Sequence, residues 1–283
     1  NGNIPFIRRL LEVGGRGASN TRETFRVAIG TEGTLGSTGD GRSIDYDWYY
    51  QYGKSERDQR SAGQFNALAF QSALDATTDA NGNIICANDA ARAAGCVPID
   101  VFGVNSITPA MAEWIRYRPS RQTTMEQSVF AVNFTSSFNL GSLEVSWAAG
   151  AEHREEESSD VPDDLQQLGL HGGNRIPETN GDYDVTGYYL EFLVPLVSGK
   201  TLIEDLSFET AYRTDDYSTT GTVDGFKVGL SWSLNEQFRF RSVYAESARS
   251  PNIDDLFAGQ AQTFQSISDP CAGVGSAAEP NMD

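Results

Sequence analysis

The residues best suited to chemistry in this chain are few and scattered. His153 stands in His153-Arg154-Glu155-Glu156-Glu157, which sets acids beside a histidine but lacks the second histidine of an H-E-x-x-H zinc helix. His171 is the only other histidine. Zinc takes three or four converging ligands, so both histidines read as solvated loop residues. Asp79, Asn81 and Asn83 copy the start of a calcium loop, yet Ile84 stands where that loop requires Gly and Ala90 where it requires Glu. Asn81-Gly82 is more simply a turn. The sequence holds no G-x-S-x-G elbow, phosphate loop or dinucleotide fingerprint, so no enzyme and no cofactor are expected.

Two other groups carry chemical meaning. Cys86 and Cys96 have nine residues between them, a spacing that matches no C-x-x-C metal or redox motif. A local disulfide is the expectation, which implies an oxidising compartment and leaves Cys271 without a partner in the sequence. Trp114, Arg116, Tyr117, Arg118 and Arg121 combine stacking surfaces with cations, as a ligand-binding loop would, or as a helix packed on a larger scaffold would. The net charge, 21 − 39 = −18, argues against a nucleic-acid partner, because phosphate contacts need a basic surface.

The elements that must position these groups are strands. Between residues 206 and 257, polar and apolar residues alternate through three successive segments. Leu206, Phe208, Thr210 and Tyr212 share one side, and Phe226, Val228, Leu230, Trp232 and Leu234 form an unbroken apolar row. The opposite side carries Glu209, Arg213, Lys227, Arg239 and Arg241. A sheet with one greasy and one charged face must put each against a different medium. Similar alternation occurs at residues 25–30, 45–52, 125–138, 143–149 and 188–196, the last with Glu191 on the polar side, and residues 4–13 form a further short strand candidate. Tyr46, Trp48, Tyr50 and Tyr52 make an aromatic row that fits either a sandwich core or a girdle at a lipid headgroup boundary. No apolar run reaches the roughly 20 residues of a membrane helix, but barrel strands escape that test.

The connections differ between the two ends of this sheet. Residues 34–42, 139–142, 198–205 and 235–237 are short, whereas 55–121 and 155–182 are long and share an end. Residues 14–20 read as a further turn. Inside 55–121 the alternation stops, and helices are expected around Phe65, Leu68 and Ala69, after an Asn88 cap, and from Pro109. Short turns at one rim and long loops at the other characterise outer-membrane barrels. About nine strands of at least the 9–11 residues that a tilted membrane strand requires are expected. The fold class is therefore all-β: an antiparallel transmembrane β-barrel with about nine strands in this chain.

At this point the sequence resembles the TonB-dependent outer-membrane receptors. The resemblance rests on residues 211–218, on Lys227-Val228-Gly229-Leu230-Ser231-Trp232 and Arg239-Phe240-Arg241, and on Arg249-Ser250-Pro251-Asn252 with Leu256-Phe257. Ser250 stands where the family usually has Ala. Earlier pieces, Phe25-Arg26-Val27 with Gly30, Trp48 with Tyr52-Gly53, and Gly95-Cys96-Val97-Pro98 with Phe102-Gly103, resemble the family as well. The resemblance implies a barrel of about 22 strands closed around an N-terminal plug domain, so that the barrel here is incomplete, about nine strands of a larger one. It implies a bacterial outer-membrane location, outer-membrane lipid around the wall, and energy from the TonB complex. It further implies uptake of a small nutrient ligand: an iron chelate, cobalamin or an oligosaccharide. Glu191, Glu209, Arg213, Lys227, Arg239 and Arg241 would then face the lumen or the plug. The opening Asn-Gly-Asn-Ile-Pro and the end at Asp283, in a loop from about residue 250, read as the ends of an internal piece, with plug and further strands outside it. The rival readings are a passive porin and a secreted β-sandwich that binds carbohydrate.

Overall fold

The computed structural model describes residues 8–37, 42–263 and 266. Its first long strands are β1 (Gly17–Ser37) and β2 (Ser43–Ala62). A long connection follows, holding β3 (Gln64–Phe65), α1 (Ala67–Leu74), β4 (Ala76–Thr78), β5 (Ile84–Cys86), α2 (Asp89–Ala93), α3 (Pro109–Ile115) and β6 (Arg116–Tyr117). Then come β7 (Ser120–Leu140), β8 (Leu143–Pro162), α4 (Asp164–Leu168), β9 (Thr179–Lys200), β10 (Ile203–Tyr217), β11 (Gly221–Ser233), β12 (Arg239–Glu246) and α5 (Ile253–Phe257). Eight strands form one antiparallel sheet in the order β1-β2-β7-β8-β9-β10-β11-β12, and this sheet does not close on itself among the described residues. It is an arc of barrel wall.

The wall differs from the expectation in three places. The described part of residues 4–13 contains a 3-10 turn at Leu11–Val13 and no strand, so the sheet has eight strands rather than nine. β1 already begins within the stretch read as a turn at 14–20, and Gly17 pairs with Ala62. The strands also outrun the apolar alternation. β2 continues to Ala62, β7 starts at Ser120, β8 ends at Pro162 and β9 starts at Thr179, so the connections are residues 63–119 and 163–178. A strand of 20 residues spans about 66 Å at 3.3 Å per residue, against an apolar band about 25 Å tall. Backbone pairing needs no apolar side chains, so the ladders continue past the apolar alternation on polar ones.

The register sorts side chains onto two faces. Pairing Trp48↔Val132↔Ala151↔Tyr188 and Phe134↔Ala149↔Leu190↔Tyr212↔Phe226 carries apolar rows from β2 to β11. Large apolar side chains on this face stand open: Phe25 is 61% exposed, Tyr188 57% and Tyr244 63%. A sandwich would bury them. Residues 141–142, 201–202 and 234–238 make one rim of short turns, and 63–119 and 163–178 rise from the other, where only 218–220 is short.

The connection 63–119 has its own small core. Val13, Ala73 and Ile115 are buried there, with Phe65, Phe70, Ile99 and Trp114 packed around them. The three expected helices are present, each started by a side chain that satisfies otherwise orphaned N–H groups. Asn66 accepts from Leu68 and Ala69 before α1, Asn88 accepts from Ala91 before α2, and Thr108 caps α3 with Pro109 at its first position. Cys86 and Cys96 are joined across β5 and the end of α2, with Cα atoms 6.3 Å apart. Cys271 lies outside the described residues.

Candidate functional site

The face opposite the apolar row is polar and internally bonded. The Asn133 amide donates to Asp47 at 2.7 Å and accepts from the Tyr189 hydroxyl at 2.8 Å. To reach Asn133, Tyr189 crosses Gly150 on the intervening strand, where an added Cβ would lie 2.5 Å from its ring. Side chains that meet across a strand mark the concave side of a curved sheet, so this is the inner face.

Four of the six charges expected on that face, Arg213, Glu209, Lys227 and Arg239, are bonded to neighbouring side chains. Arg213 donates Nε to both oxygens of Asp215 at 2.9 Å and reaches Glu152 at 3.5 Å. Lys227 lies 3.3 Å from Glu209, and both line a cavity of about 770 Å³ with Glu191 and Arg42. Arg239 donates Nε to Ser231 at 3.1 Å. Arg241 is exposed opposite Ser231 and has no partner among the described residues. The arrangement mixes both charge signs and is partly exposed, which suits contact with another polar surface or with a polar solute.

Above the wall, the residues considered for ligand contact are mostly engaged with the protein. Trp114 donates its indole N–H to the Ala69 carbonyl at 3.0 Å within the small core. Arg116 donates to the Glu12 carbonyl at 3.3 Å and pairs with Glu113 at 3.2 Å. Tyr117 donates its hydroxyl to Asp163 and stands edge-on to His171. Arg121 forks onto Asp160, which also accepts from Thr123 at 3.0 Å. Arg118 alone is exposed and unpaired among the described residues. These contacts assemble the rim; Arg118 is the member of the set whose cation faces solvent.

The stretch Arg249 to Phe257 forms a cap and a short helix. Asn252 starts α5 by accepting from Asp255, whose carboxylate accepts in return from the Asn252 N–H and from Arg249. Pro251 precedes the cap, and Leu256 is half-buried. Ile253 is buried against Tyr183, Val185 and Tyr217 on the inner face, and the Phe257 ring stands over Gly181. The resemblance motif is thus a latch that folds back on the inside of β9.

His153 does not lie in a loop as expected. It stands in β8 on the apolar face, with Nδ1 2.9 Å from the Thr186 hydroxyl, whereas His171 lies in the 163–178 connection edge-on to Tyr117. Asp79 accepts from the Asn81 and Asn83 N–H groups at 2.8 Å, which makes the calcium-like stretch a hydrogen-bonded turn. Sequence reasoning did not single out Asp47, Asn133 and Tyr189, whose meeting depends on register across three strands. It also passed over Asp163, although an acid directly after Pro162 and ahead of Leu165 is a helix-start signal.

Residues 8–282 match the family model described as TonB dependent receptor-like, beta-barrel. No solved structure matches the chain.

Proposed function

Since the chain belongs to the TonB-dependent receptor β-barrel family, we propose that it forms wall and outer rim of a receptor that imports a scarce nutrient: an iron chelate, cobalamin or an oligosaccharide. The family sets the chain in the bacterial outer membrane as part of a transporter of small ligands. In this reading the apolar row meets lipid, the inner face meets a plug domain, and the TonB complex supplies energy through that plug. The rim built from residues 63–119 and 163–178 faces outward and makes first contact with the nutrient. Arg118, and the luminal Arg241 and Glu191, are the side chains of the expected sets still open to a solute or plug.

The observation that carries the reading is the contrast between faces. One bears exposed Phe25, Tyr188 and Tyr244, and the other bears the Asp47–Asn133–Tyr189 chain and the Arg213–Asp215 pair. Water on both sides would leave the aromatic row unexplained, whereas lipid on one side and a polar lumen on the other accounts for both.

The test is uptake by cells that carry the full-length protein, with and without a functional TonB complex, using iron chelates, cobalamin and oligosaccharides in turn. Saturable uptake of one class that stops without TonB is expected. Uptake that persists without TonB would replace the receptor with a passive porin. A detergent-independent soluble monomer would restore the sandwich.

A further inference from the structure

A pocket of about 630 Å³ opens where residues 8–16 meet the connection 63–119, and its charge is opposite to that of the chain. The whole sequence carries −18, yet Arg8, Arg9 and Arg16 line this pocket and no acidic side chain does. Arg8 is committed to structure. It donates to the Val101 carbonyl at 2.7 Å, to the Ser106 hydroxyl at 3.0 Å and to Glu12 at 2.6 Å, which meets its charge and ties residues 101–106 over one side. Arg9 and Arg16 are exposed and have no partner among the described residues. The pocket therefore offers about two unneutralised guanidinium groups beside an apolar lining of Phe65, Phe70 and Val101.

The backbone at this site is held in place by close packing. Gly63 has φ +75°, and a Cβ there would lie 2.5 Å from the Gly15 carbonyl oxygen and 2.7 Å from the Arg16 nitrogen. Only glycine permits that approach, which seats Arg16 at the mouth. Eight residues separate Gly17 from Phe25, the first exposed aromatic of β1, or roughly 26 Å along the strand at 3.3 Å per residue. The pocket thus stands well above the lipid.

We infer that this pocket binds a soluble organic anion: a carboxylate, sulfonate or phosphate carried on an aromatic or other apolar body. Guanidinium forks recognise such oxyanions bidentately, and the ring lining takes the apolar part. The volume lies in the range of small-molecule sites. The inference narrows the ligand class of the proposed receptor, and its binding test needs no TonB complex.

The experiment is equilibrium dialysis of 2-naphthoate, and of its neutral counterpart 2-naphthol, against the full-length protein in lipid nanodiscs, with empty nanodiscs subtracted. Saturable naphthoate binding that weakens with added salt is expected, with naphthol at least tenfold weaker. Arg9→Gln with Arg16→Gln should weaken naphthoate at least tenfold, Arg9→Lys with Arg16→Lys should retain most of the affinity, and Arg22→Gln with Arg60→Gln should leave it unchanged. Arg16→Gln alone, at an exposed side chain, carries the comparison if the double variant fails to assemble. The inference is overturned if wild type shows no saturable naphthoate binding, if naphthol binds as well, or if the glutamine variants bind as wild type does. Binding here without TonB-dependent uptake would overturn the transport reading alone; uptake without binding here would overturn the pocket alone.

Discussion

Asp163 ties three elements of the rim together. It accepts from the Gln166 N–H at the start of α4, from the Tyr117 hydroxyl in β6, and from the Ser120 N–H, at 2.7 Å, at the head of β7. Burial alone would raise its pKa, but the hydrogen bonds from Tyr117, Ser120 and Gln166 outweigh it and hold the carboxyl below its ordinary range. Burial, and then the bond to Asp163, push the Tyr117 hydroxyl up, so it stays a donor. A carboxyl with a lowered folded pKa binds fewer protons folded than unfolded, so its contribution is complete above about pH 4 and is lost as pH falls through the folded value. Hydrogen exchange at residues 117–120 and 163–168 should therefore accelerate as pH is lowered past 4, after correction for intrinsic rates. Asp163→Asn should show the acceleration already at neutral pH and remain flat; a wild-type rim that stays equally protected at pH 3 contradicts the assignment. Gly181 gives a second residue-scale expectation. A Cβ there would collide with the Phe257 ring, so Gly181→Val should expel the ring and free α5, seen as new protease sensitivity within residues 249–263. The sequence shows the 249–257 motif as a resemblance, but not its seat: a contact between residues 181 and 257 leaves no local pattern at either.

At the scale of elements, what was legible followed from local chemistry. The starts of α1, α2 and α3 were readable because Phe65, Leu68 and Ala69 recur at helical spacing, Asn88 accepts from an N–H three residues on, and Pro109 fits a first helical position. Strand faces were readable because a two-residue period repeats within each segment. The ends of the strands were not, because β2, β7, β8 and β9 continue on polar side chains, where pairing with a distant strand, not side-chain type, keeps the backbone extended. The stretch 4–13 deceived in another way: Leu10 and Val13 pack into the core of the 63–119 connection, not onto a sheet. That connection folds around its own core and is closed by Cys86–Cys96, with Cys86 fully buried. Closing a loop of this length stabilises by about 3 kcal/mol in the chain-entropy account. Cys86→Ala with Cys96→Ala should therefore raise exchange across residues 63–119 while residues 185–233 keep their protection. Loss of protection in both would mean that the rim and wall unfold as one unit.

For the whole molecule, the decisive property is that two faces of one sheet meet different media, and this can be tested by placing one charge on each. Leu230 stands in the middle of the apolar row 226–234 and is 44% exposed. Val243, on the neighbouring strand, is similarly open at 51% but pairs with Gly229 and so belongs to the inner face. The two residues are close in size and position, and both become cationic on replacement by Arg. If the row lies in lipid, Leu230→Arg forces a guanidinium toward the bilayer interior and should cost about 2–4 kcal/mol. Val243→Arg places the same group in a hydrated lumen beside Arg241, where mild repulsion should hold the cost below about 1 kcal/mol. The measurement is a denaturant titration of the full-length protein folding reversibly into lipid vesicles, with each variant compared to wild type. Water on both sides of the sheet predicts no such asymmetry, with both sites open and both substitutions nearly neutral. Equal small costs would therefore return the apolar row to water and remove the physical basis for reading this sheet as membrane wall.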